Sequence, residues 1–179
     1  IKTINTLENI KLKYLVTSNP KNISLLKNSN CKIINNWQEL INKDDIDGII
    51  IAVPPNIQAK IAIKLINENI PLLLQKPLAL NIEDAKRIKE LVNRNNSLVL
   101  IDHTYLFHPA YEYLKNKLLY DKSIIFIDSK GCNYGPFRKD IPVLWDWGPH
   151  DLYMCLDLIN DYPKIIDVKK TSLNSKEIN

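Results

Sequence analysis

Short apolar runs alternate along this chain with segments that have the apolar spacing of amphipathic helices. The clearest runs are residues 49–53, 72–74 and 98–101, and helical patterns at residues 56–69 and 82–94 lie between them. Asn81 is the predicted N-cap of the second of these helices, and Glu83 and Asp84 lie in its first turn. An unbroken apolar run of strand length is typical of a strand buried on both faces, as in a parallel sheet. The alternation therefore predicts a doubly wound α/β layer, whose right-handed crossovers place the carboxyl ends of the strands at one edge.

The pattern changes at about residue 103, where polar residues enter the predicted strands. We expect residues 1–102 to form the doubly wound α/β domain, and residues 103–179 to begin a second domain of α+β class. The first part also contains predicted strands at 13–18 and 31–34 and predicted helices at 20–28 and 37–45. The second part contains predicted helices at 111–119 and 149–159, a long strand at 122–135, and a last strand after Pro163.

Composition excludes several classes of partner. The 24 basic and 20 acidic residues give a formal net charge of +4, and the basic residues are scattered rather than gathered on one face, so we expect no nucleic-acid partner. No apolar run approaches the roughly 20 residues of a membrane-spanning helix, so we expect no membrane partner. The three cysteines are an odd, unpatterned set, which is typical of a reducing compartment, and we expect a cytoplasmic protein.

Glycine is scarce, and this shortage limits how the chain could bind phosphate. The sequence contains four glycines, and no GxGxxG or P-loop motif can be written from them. The chain also begins with isoleucine rather than methionine. We therefore expect a fragment of a longer protein.

Two motifs lie directly after predicted strands. In residues 52–58 two consecutive prolines stiffen the turn, and Asn56 could cap the next helix or face a ligand, although a purely rigid turn explains the motif as well. Lys76 follows the next strand, and Pro77 favours an extended backbone at Lys76. A lysine at this edge can donate to a reacting oxygen, although a surface lysine before a helix is equally compatible with the pattern.

A third motif lies in residues 138–158. Pro149 suits the first turn of a helix and places His150 beside its N-terminus, where the helix dipole lowers an imidazole pKa and favours a neutral base. Asp146 lies just before this predicted helix. It could orient or charge-stabilise His150, or it could only cap the helix.

Together these motifs resemble the Gfo/Idh/MocA oxidoreductases, a family named for glucose–fructose oxidoreductase and inositol dehydrogenase. Residues 47–70 resemble its strand-and-turn segment, which usually ends in Pro-Pro-x-x-His, with Gln58 at the histidine position. Residues 72–80 resemble its Glu-Lys-Pro signature, with Gln75 in place of glutamate. Residues 143–158 resemble its Asp-x-x-x-His signature. The family's first strand and Gly-rich turn are missing from the sequence. The resemblance therefore implies that residues 1–102 are an incomplete dinucleotide-binding domain of Rossmann type, and that residues 103–179 begin an α+β substrate-binding and catalytic domain.

The resemblance implies an NAD(P)-dependent oxidoreductase that transfers a hydride between a nicotinamide and a hydroxyl of a sugar, nucleotide-linked sugar or cyclitol. It implies that His150 is the acid/base, that Lys76 hydrogen-bonds the reacting oxygen, and that Asp146 orients substrate hydroxyls or tunes its neighbours. The implied cofactor-binding residues are Ser18, Asn19, Val53, Pro54, Asn56, Gln75 and Lys76. The candidate substrate-binding residues are His103, Tyr105, Asn133 and Arg138, and residues 135–140 resemble members that act on nucleotide-linked sugars.

The cofactor could be NAD or NADP. Ser18 ends the second strand, where an acidic residue would bind the ribose of NAD, and a serine with Lys21 nearby slightly favours NADP. Because the Gly-rich turn that cradles a pyrophosphate is missing, we expect this chain alone to bind dinucleotide poorly and to be inactive. At full length we expect a homo-oligomer with a small-molecule substrate.

Two other functions stay open on the sequence alone. The first is a non-catalytic family member or interaction module that kept the fold without turnover. The second is a metal-dependent hydrolase using His103, His108, Asp146 and His150, with Asp102 as a further ligand, although no tight ligand spacing such as HExxH is present.

Overall fold

A computed structural model of the chain describes residues 3–17, 19, 31–121, 126–131 and 141–169. The chain divides into two compact units, Ile1–Ile49 and Ile50–Asn179. The proposed domain boundary at residue 102 stays a prediction. Among the described residues, no helix has both the length and the apolar character needed to cross a membrane.

The first unit contains a pair of short parallel strands, β1 (Tyr14–Val16) and β2 (Lys32–Ile34). Both strands were predicted, and the structure confirms them with narrower bounds. The helix predicted over 37–45 is wrong beyond a single 3-10 turn at Trp37–Leu40, because the following Asn and Asp residues compete for backbone hydrogen bonds and disfavour a helix. The helix predicted over 20–28 lies outside the described residues.

A three-stranded sheet lies at the start of the second unit. Its order is β3 (Ile49–Ile51), β4 (Leu72–Gln75), β5 (Val99–Asp102), and β4 and β5 run parallel. Their register pairs Gln75 with Asp102, the last residue of each strand. The predicted Rossmann-like parallel arrangement of strands and crossover helices is therefore confirmed, and the two strand ends bring polar side chains to one edge of the sheet.

Two helices form the core of this unit with β4. Helix α1 (Pro55–Asn67) packs against β4 and against helix α2 (Ile82–Asn95). Leu65 and Ile66 of α1 and Leu74 of β4 are fully buried. Burying an aliphatic side chain of this size stabilises a fold by about 1.5–3 kcal/mol, so this contact carries much of the stability of the unit.

The sheet is covered on one face only within the described part of the chain. Ile51, Leu72 and Leu74 are buried, whereas Ile50 and Leu100 are more than half exposed. The expectation that these strands are buried on both faces is therefore wrong. Side chains alternate between the two faces of a strand, so an unbroken apolar run does not reveal how many faces are covered.

The start of helix α2 offers a direct test of local stability. The Asn81 side chain accepts a hydrogen bond from the backbone N–H of Asp84 at 2.7 Å, as the sequence predicts. We expect Asn81→Ala to lower the free energy of unfolding by about 1 kcal/mol, because the backbone N–H of Asp84 loses its hydrogen-bond acceptor. Urea unfolding measures this, with Asn93→Ala, at an exposed position in the last turn of α2, as the control. An equal loss in both variants would contradict the capping role.

Within the described residues, three further α-helices follow the sheet. Helices α3 (Pro109–Asp121) and α5 (Gly148–Ile159) confirm the two helices predicted in this part, and the short α4 (Val143–Asp146) lies between them in the chain. The described parts of the predicted strands, residues 126–131 and 162–169, are not strands. Neither segment has a partner strand among the described residues, and a strand requires a partner for its backbone hydrogen bonds.

A network of charged and polar side chains joins α3 to α5. Lys115 Nζ lies 2.7 Å from Asp157 Oδ2, and the Tyr111 hydroxyl donates to Asp157 Oδ2 at 2.6 Å. Burial alone would raise the pKa of Asp157, but the hydrogen bonds from Lys115 and Tyr111 outweigh burial and hold this pKa below its usual range. The network joins the middle of α3 to the C-terminal part of α5.

Candidate active site

Lys76 and Asp146 form an ion pair between residues 70 positions apart. Lys76 follows β4, and its Nζ donates to Asp146 Oδ1 at 2.8 Å and to the Asp146 backbone carbonyl at 2.6 Å. Each side chain is 18% exposed, so solvent screens the pair much less than a surface ion pair. The double hydrogen bond fixes the position of the ammonium group.

The structure decides between the two interpretations of Asp146 left open by the sequence. Asp146 ends α4, and the N-cap residue of α5 is Trp147, which makes no side-chain cap. The Asp146 carboxylate pairs with Lys76 instead. Capping of α5 by Asp146 is therefore wrong, whereas the charge of Asp146 does act to raise the pKa of His150, the direction that charge stabilisation gives.

His150 lies in the first turn of α5, next to Pro149 as predicted. Its ring meets Tyr105 edge-on, with centroids 4.5 Å apart, and Trp147 at 5.7 Å. Burial lowers the pKa of His150, the positive charge of Lys76 lowers it further, and the carboxylates of Asp146, Asp151 and Asp102 oppose the shift only in part. The imidazole is therefore neutral at neutral pH, as a proton acceptor must be.

His103 follows β5 and is buried beside the same group of rings. It is 8% exposed and stacks on Tyr153 of α5, with ring centroids 3.3 Å apart. Burial lowers the pKa of His103 and the charge of His150 adds to this effect, while Asp102 opposes it. Neither ring nitrogen of His103, nor Nδ1 of His150, has a hydrogen-bond partner within the described ranges. Buried polar atoms without a hydrogen-bond partner are rare in folded proteins. A bound ligand is one source of the partner.

Gln75 and Asp102 form a side-chain pair at the carboxyl ends of β4 and β5. Gln75 Nε2 donates a short hydrogen bond to Asp102 Oδ2, and the Thr104 hydroxyl donates to Asp102 Oδ1 at 3.0 Å. A glutamate at position 75, as in the Glu-Lys-Pro signature, would place two carboxylates in contact. The amide at this position is therefore matched to Asp102.

This match predicts the effect of restoring the glutamate. We expect Gln75→Glu to lower the free energy of unfolding by about 1–3 kcal/mol, since a part-buried acceptor loses its donor and faces a second acceptor. The double change Gln75→Glu with Asp102→Asn restores a donor and an acceptor and should recover most of that loss. Urea unfolding of the two variants checks this, and the same loss in both would show that the pair is not coupled.

Gln58 holds the turn that contains Lys76. It is 1% exposed on α1, and its Nε2 donates to the backbone carbonyls of Gln75 at 2.5 Å and Pro77 at 2.8 Å. The Lys76–Pro77 peptide bond is cis. The sequence singled out Gln58 only as a departure from the family's histidine. The position of a polar residue on the apolar face of α1 is the signal that could have identified this contact.

The remaining predicted cofactor residues are only partly described. Val53 and Pro54 lie between β3 and α1, and Pro54 rather than Asn56 is the N-cap residue of α1. Asn56 is exposed in the first turn, and its side-chain amide makes no hydrogen bond within the described residues, so it is available to a ligand. Asn19 lies in the first unit, where its backbone N–H donates to the Thr17 hydroxyl at 3.1 Å.

The structure describes only some of the predicted substrate residues. His103 and Tyr105 are brought to His150. Asn133 and Arg138 lie outside the described residues, as does Ser18 of the predicted cofactor set. Tyr153, which stacks on His103, was missed by the sequence interpretation, although its position three residues after His150 places both on one face of a helix.

The described residues give no support to a metal centre. No group of three or more His, Cys, Asp or Glu side chains in residues 3–17, 19, 31–121, 126–131 and 141–169 could hold a metal ion. All five side chains of the predicted metal set are described (Asp102, His103, His108, Asp146 and His150). These five side chains therefore do not form the metal-binding cluster that the hydrolase hypothesis requires.

Comparison with a family profile and with individual known proteins identifies oxidoreductases in both cases. Residues 1–103 match the sequence profile of the Gfo/Idh/MocA oxidoreductase family with an NAD-binding Rossmann fold. Oxidoreductase P35 of Formosa agariphila is 31% identical over 121 residues, which are 61% of this chain and 37% of that protein. Inositol 2-dehydrogenase of Salmonella paratyphi B is 30% identical over 86 residues, or 48% of this chain and 26% of that enzyme.

A solved structure extends the likeness to most of the chain. A proposed oxidoreductase from Magnetospirillum magnetotacticum MS-1 superposes with a TM-score of 0.78 at 34% identity, over 91% of this chain and 53% of that one. The chain thus spans about half the length of this structure and 37% of the length of the Formosa relative.

Proposed function

The chain belongs to the Gfo/Idh/MocA family of oxidoreductases with an NAD-binding Rossmann fold, and from this premise we propose that the protein containing it is a nicotinamide-dependent dehydrogenase. Its substrate is a hydroxyl of a sugar, nucleotide-linked sugar or cyclitol. The chain carries the catalytic groups of this reaction in Lys76, Asp146 and His150.

One observation carries the proposal. Lys76 is held 2.8 Å from Asp146, and the charge of Lys76 acts on His150, four residues after Asp146. An ammonium donor and a neutral imidazole therefore act within one site at the carboxyl edge of the sheet, where ligands of open α/β sheets bind.

Each group has a distinct part in hydroxyl oxidation. The hydroxyl proton passes to a ring nitrogen of His150 as hydride leaves the substrate carbon, so that the carbon–oxygen single bond becomes a carbonyl. The Lys76 ammonium donates to the same oxygen and stabilises the negative charge that develops on it. Asp146 holds the ammonium in place, and the depressed pKa of His150 keeps the base unprotonated near neutral pH.

The residues present fit the nicotinamide part of a dinucleotide. Asn56 has a free side-chain amide beside the turn after β3, and Val53, Pro54, Gln75 and Lys76 complete the expected contacts along this edge. When bound, the nicotinamide ring serves as hydride acceptor or donor. No Gly-rich turn of the GxGxxG type occurs in the sequence, so the 179 residues lack this pyrophosphate cradle. Ser18 and Lys21 slightly favour NADP.

The unpartnered histidine nitrogens support the proposed substrate class. His103 and His150 present buried ring nitrogens with no partner in the described part of the chain. A neutral imidazole offers one donor and one acceptor, and a hydroxyl offers both in return. Adjacent hydroxyls of a polyol ring therefore suit this site, and one relative of the chain is an inositol 2-dehydrogenase.

The direct experiment is an oxidation assay of the complete protein. NAD⁺ and NADP⁺ are each supplied with myo-inositol, with common hexoses and with nucleotide-linked hexoses, and formation of reduced nicotinamide is followed by absorbance. We expect turnover with at least one polyol of this panel and with one dinucleotide preferred. Tight dinucleotide binding without turnover of any polyol would favour the non-catalytic alternative.

A further inference from the structure

Gln58 is a buried amide whose hydrogen bonds are directed to the turn around Lys76. Its side chain is 1% exposed among the apolar residues of α1. Burying an amide is unfavourable unless its donors find partners. The Gln58 Nε2 atom donates to two backbone carbonyls, that of Gln75 at 2.5 Å and that of Pro77 at 2.8 Å.

The two acceptors are the residues on either side of Lys76. The backbone of Lys76 is therefore held from α1 on both sides, while its ammonium group is held by Asp146 at the other end of the side chain. A lysine has four rotatable side-chain bonds and loses much rotamer freedom when it is fixed. Contacts at both ends restrict where the ammonium group can lie.

We propose that Gln58 is a positioning residue for Lys76: by holding the Gln75 and Pro77 carbonyls it places the ammonium group where it meets Asp146 and the reacting oxygen. The importance of this placement for turnover rests on the proposed function. The contact between Gln58 and the turn is independent of the proposed function, so the contact and its effect on turnover can be tested separately.

The first test measures the placement of Lys76 without any substrate. Acetic anhydride labels lysines in the complete protein, and mass spectrometry gives the labelling rate of each. We expect Gln58→Met, which keeps the side-chain length and removes both donors, to raise the labelling rate of Lys76 several-fold. The labelling rate of Lys115, which pairs with Asp157 at 2.7 Å, should stay at its native value.

A matched variant controls for general loosening of the core. Ser97 is also buried and polar, and its hydroxyl donates to Asn69 Oδ1 at 2.9 Å near the far end of α1. Ser97→Ala should leave the labelling of Lys76 unchanged. Equal acceleration in both variants would overturn the proposal, as would native labelling of Lys76 in Gln58→Met. If Gln58→Met does not fold, Gln58→Leu, which also carries no donor, is judged by the same two outcomes.

The second test uses turnover with the polyol that the native protein oxidises fastest. Because small misplacement of a catalytic group can reduce rates by about 10²-fold, we expect Gln58→Met to lower kcat by about 10- to 100-fold with little change in KM for the dinucleotide. Gln58→His keeps a ring donor and should recover most of the rate. Loss of turnover in Lys76→Met with native kcat in Gln58→Met would overturn the positioning role alone. Native turnover in Lys76→Met would instead overturn the proposed function.

Discussion

Replacing Lys76 with methionine is expected to lower kcat of the complete protein by about 10²- to 10³-fold, the usual effect of removing one donor to a developing oxyanion. The ammonium group lies 2.8 Å from Asp146 and acts electrostatically on His150. An interaction made only in the transition state should lower kcat and kcat/KM together. Steady-state kinetics with the best polyol substrate measures both.

A second lysine in the same unit provides the matched control. Lys115 forms an ion pair of 2.7 Å with Asp157, which lies in the C-terminal part of α5, about two turns beyond His150. Lys115→Met should reduce the free energy of unfolding by about 1 kcal/mol or less, since the pair is partly exposed, and should leave kcat at its native value. Native kcat in Lys76→Met, or equal losses in both variants, would contradict a catalytic role for Lys76.

Replacing His150 with phenylalanine is expected to lower kcat by about 10²- to 10⁴-fold, the contribution of a positioned general base. Phenylalanine keeps a ring against Tyr105 and Trp147, so the loss reports on proton transfer rather than on packing. In the native protein the oxidation rate should fall as pH drops through the depressed pKa of His150, because the base becomes protonated. This acid limb should disappear from the residual rate of the variant.

The lowered pKa values of His150 and His103 also make the stability of the fold depend on pH. The pKa values of His150 and His103 lie below the ordinary histidine value of about 6.5, so below that pH the unfolded state binds more protons than the folded state. Stability should therefore decrease as pH falls from about 6.5 towards the folded pKa, and His150→Phe should weaken this decrease. His108→Asn is the control, since His108 is exposed, and it should change neither the rate profile nor the acid destabilisation.

Local signals in the sequence predicted much of the fold. Asn81, followed by acidic residues and an apolar stripe, correctly predicts the start of α2, because capping depends on neighbouring residues alone. Pro149 likewise predicts the first turn of α5. The exposure of Ile50 and Leu100 could not be predicted, because it depends on which face of the sheet other elements cover.

The candidate site was predicted in its residues but not in its contacts. Lys76 and His150 were identified from a strand end and a helix start, and from their resemblance to family motifs. That Asp146 pairs with Lys76 depends on how α4 approaches β4 in three dimensions, and nothing in the spacing of two residues 70 positions apart specifies it. The contacts of Gln58 and Gln75 were missed for the same reason, since their partners lie on other elements.

The most direct test of a shared catalytic site is the kcat/KM of the double variant Lys76→Met with His150→Phe, compared with those of the two single variants. Groups that act as one unit give non-additive losses, so the double variant should be no more than about threefold worse than the more damaged single variant. Independent sites more than about 7–10 Å apart give losses that multiply. A double variant whose loss equals the product of the two single losses would contradict the account.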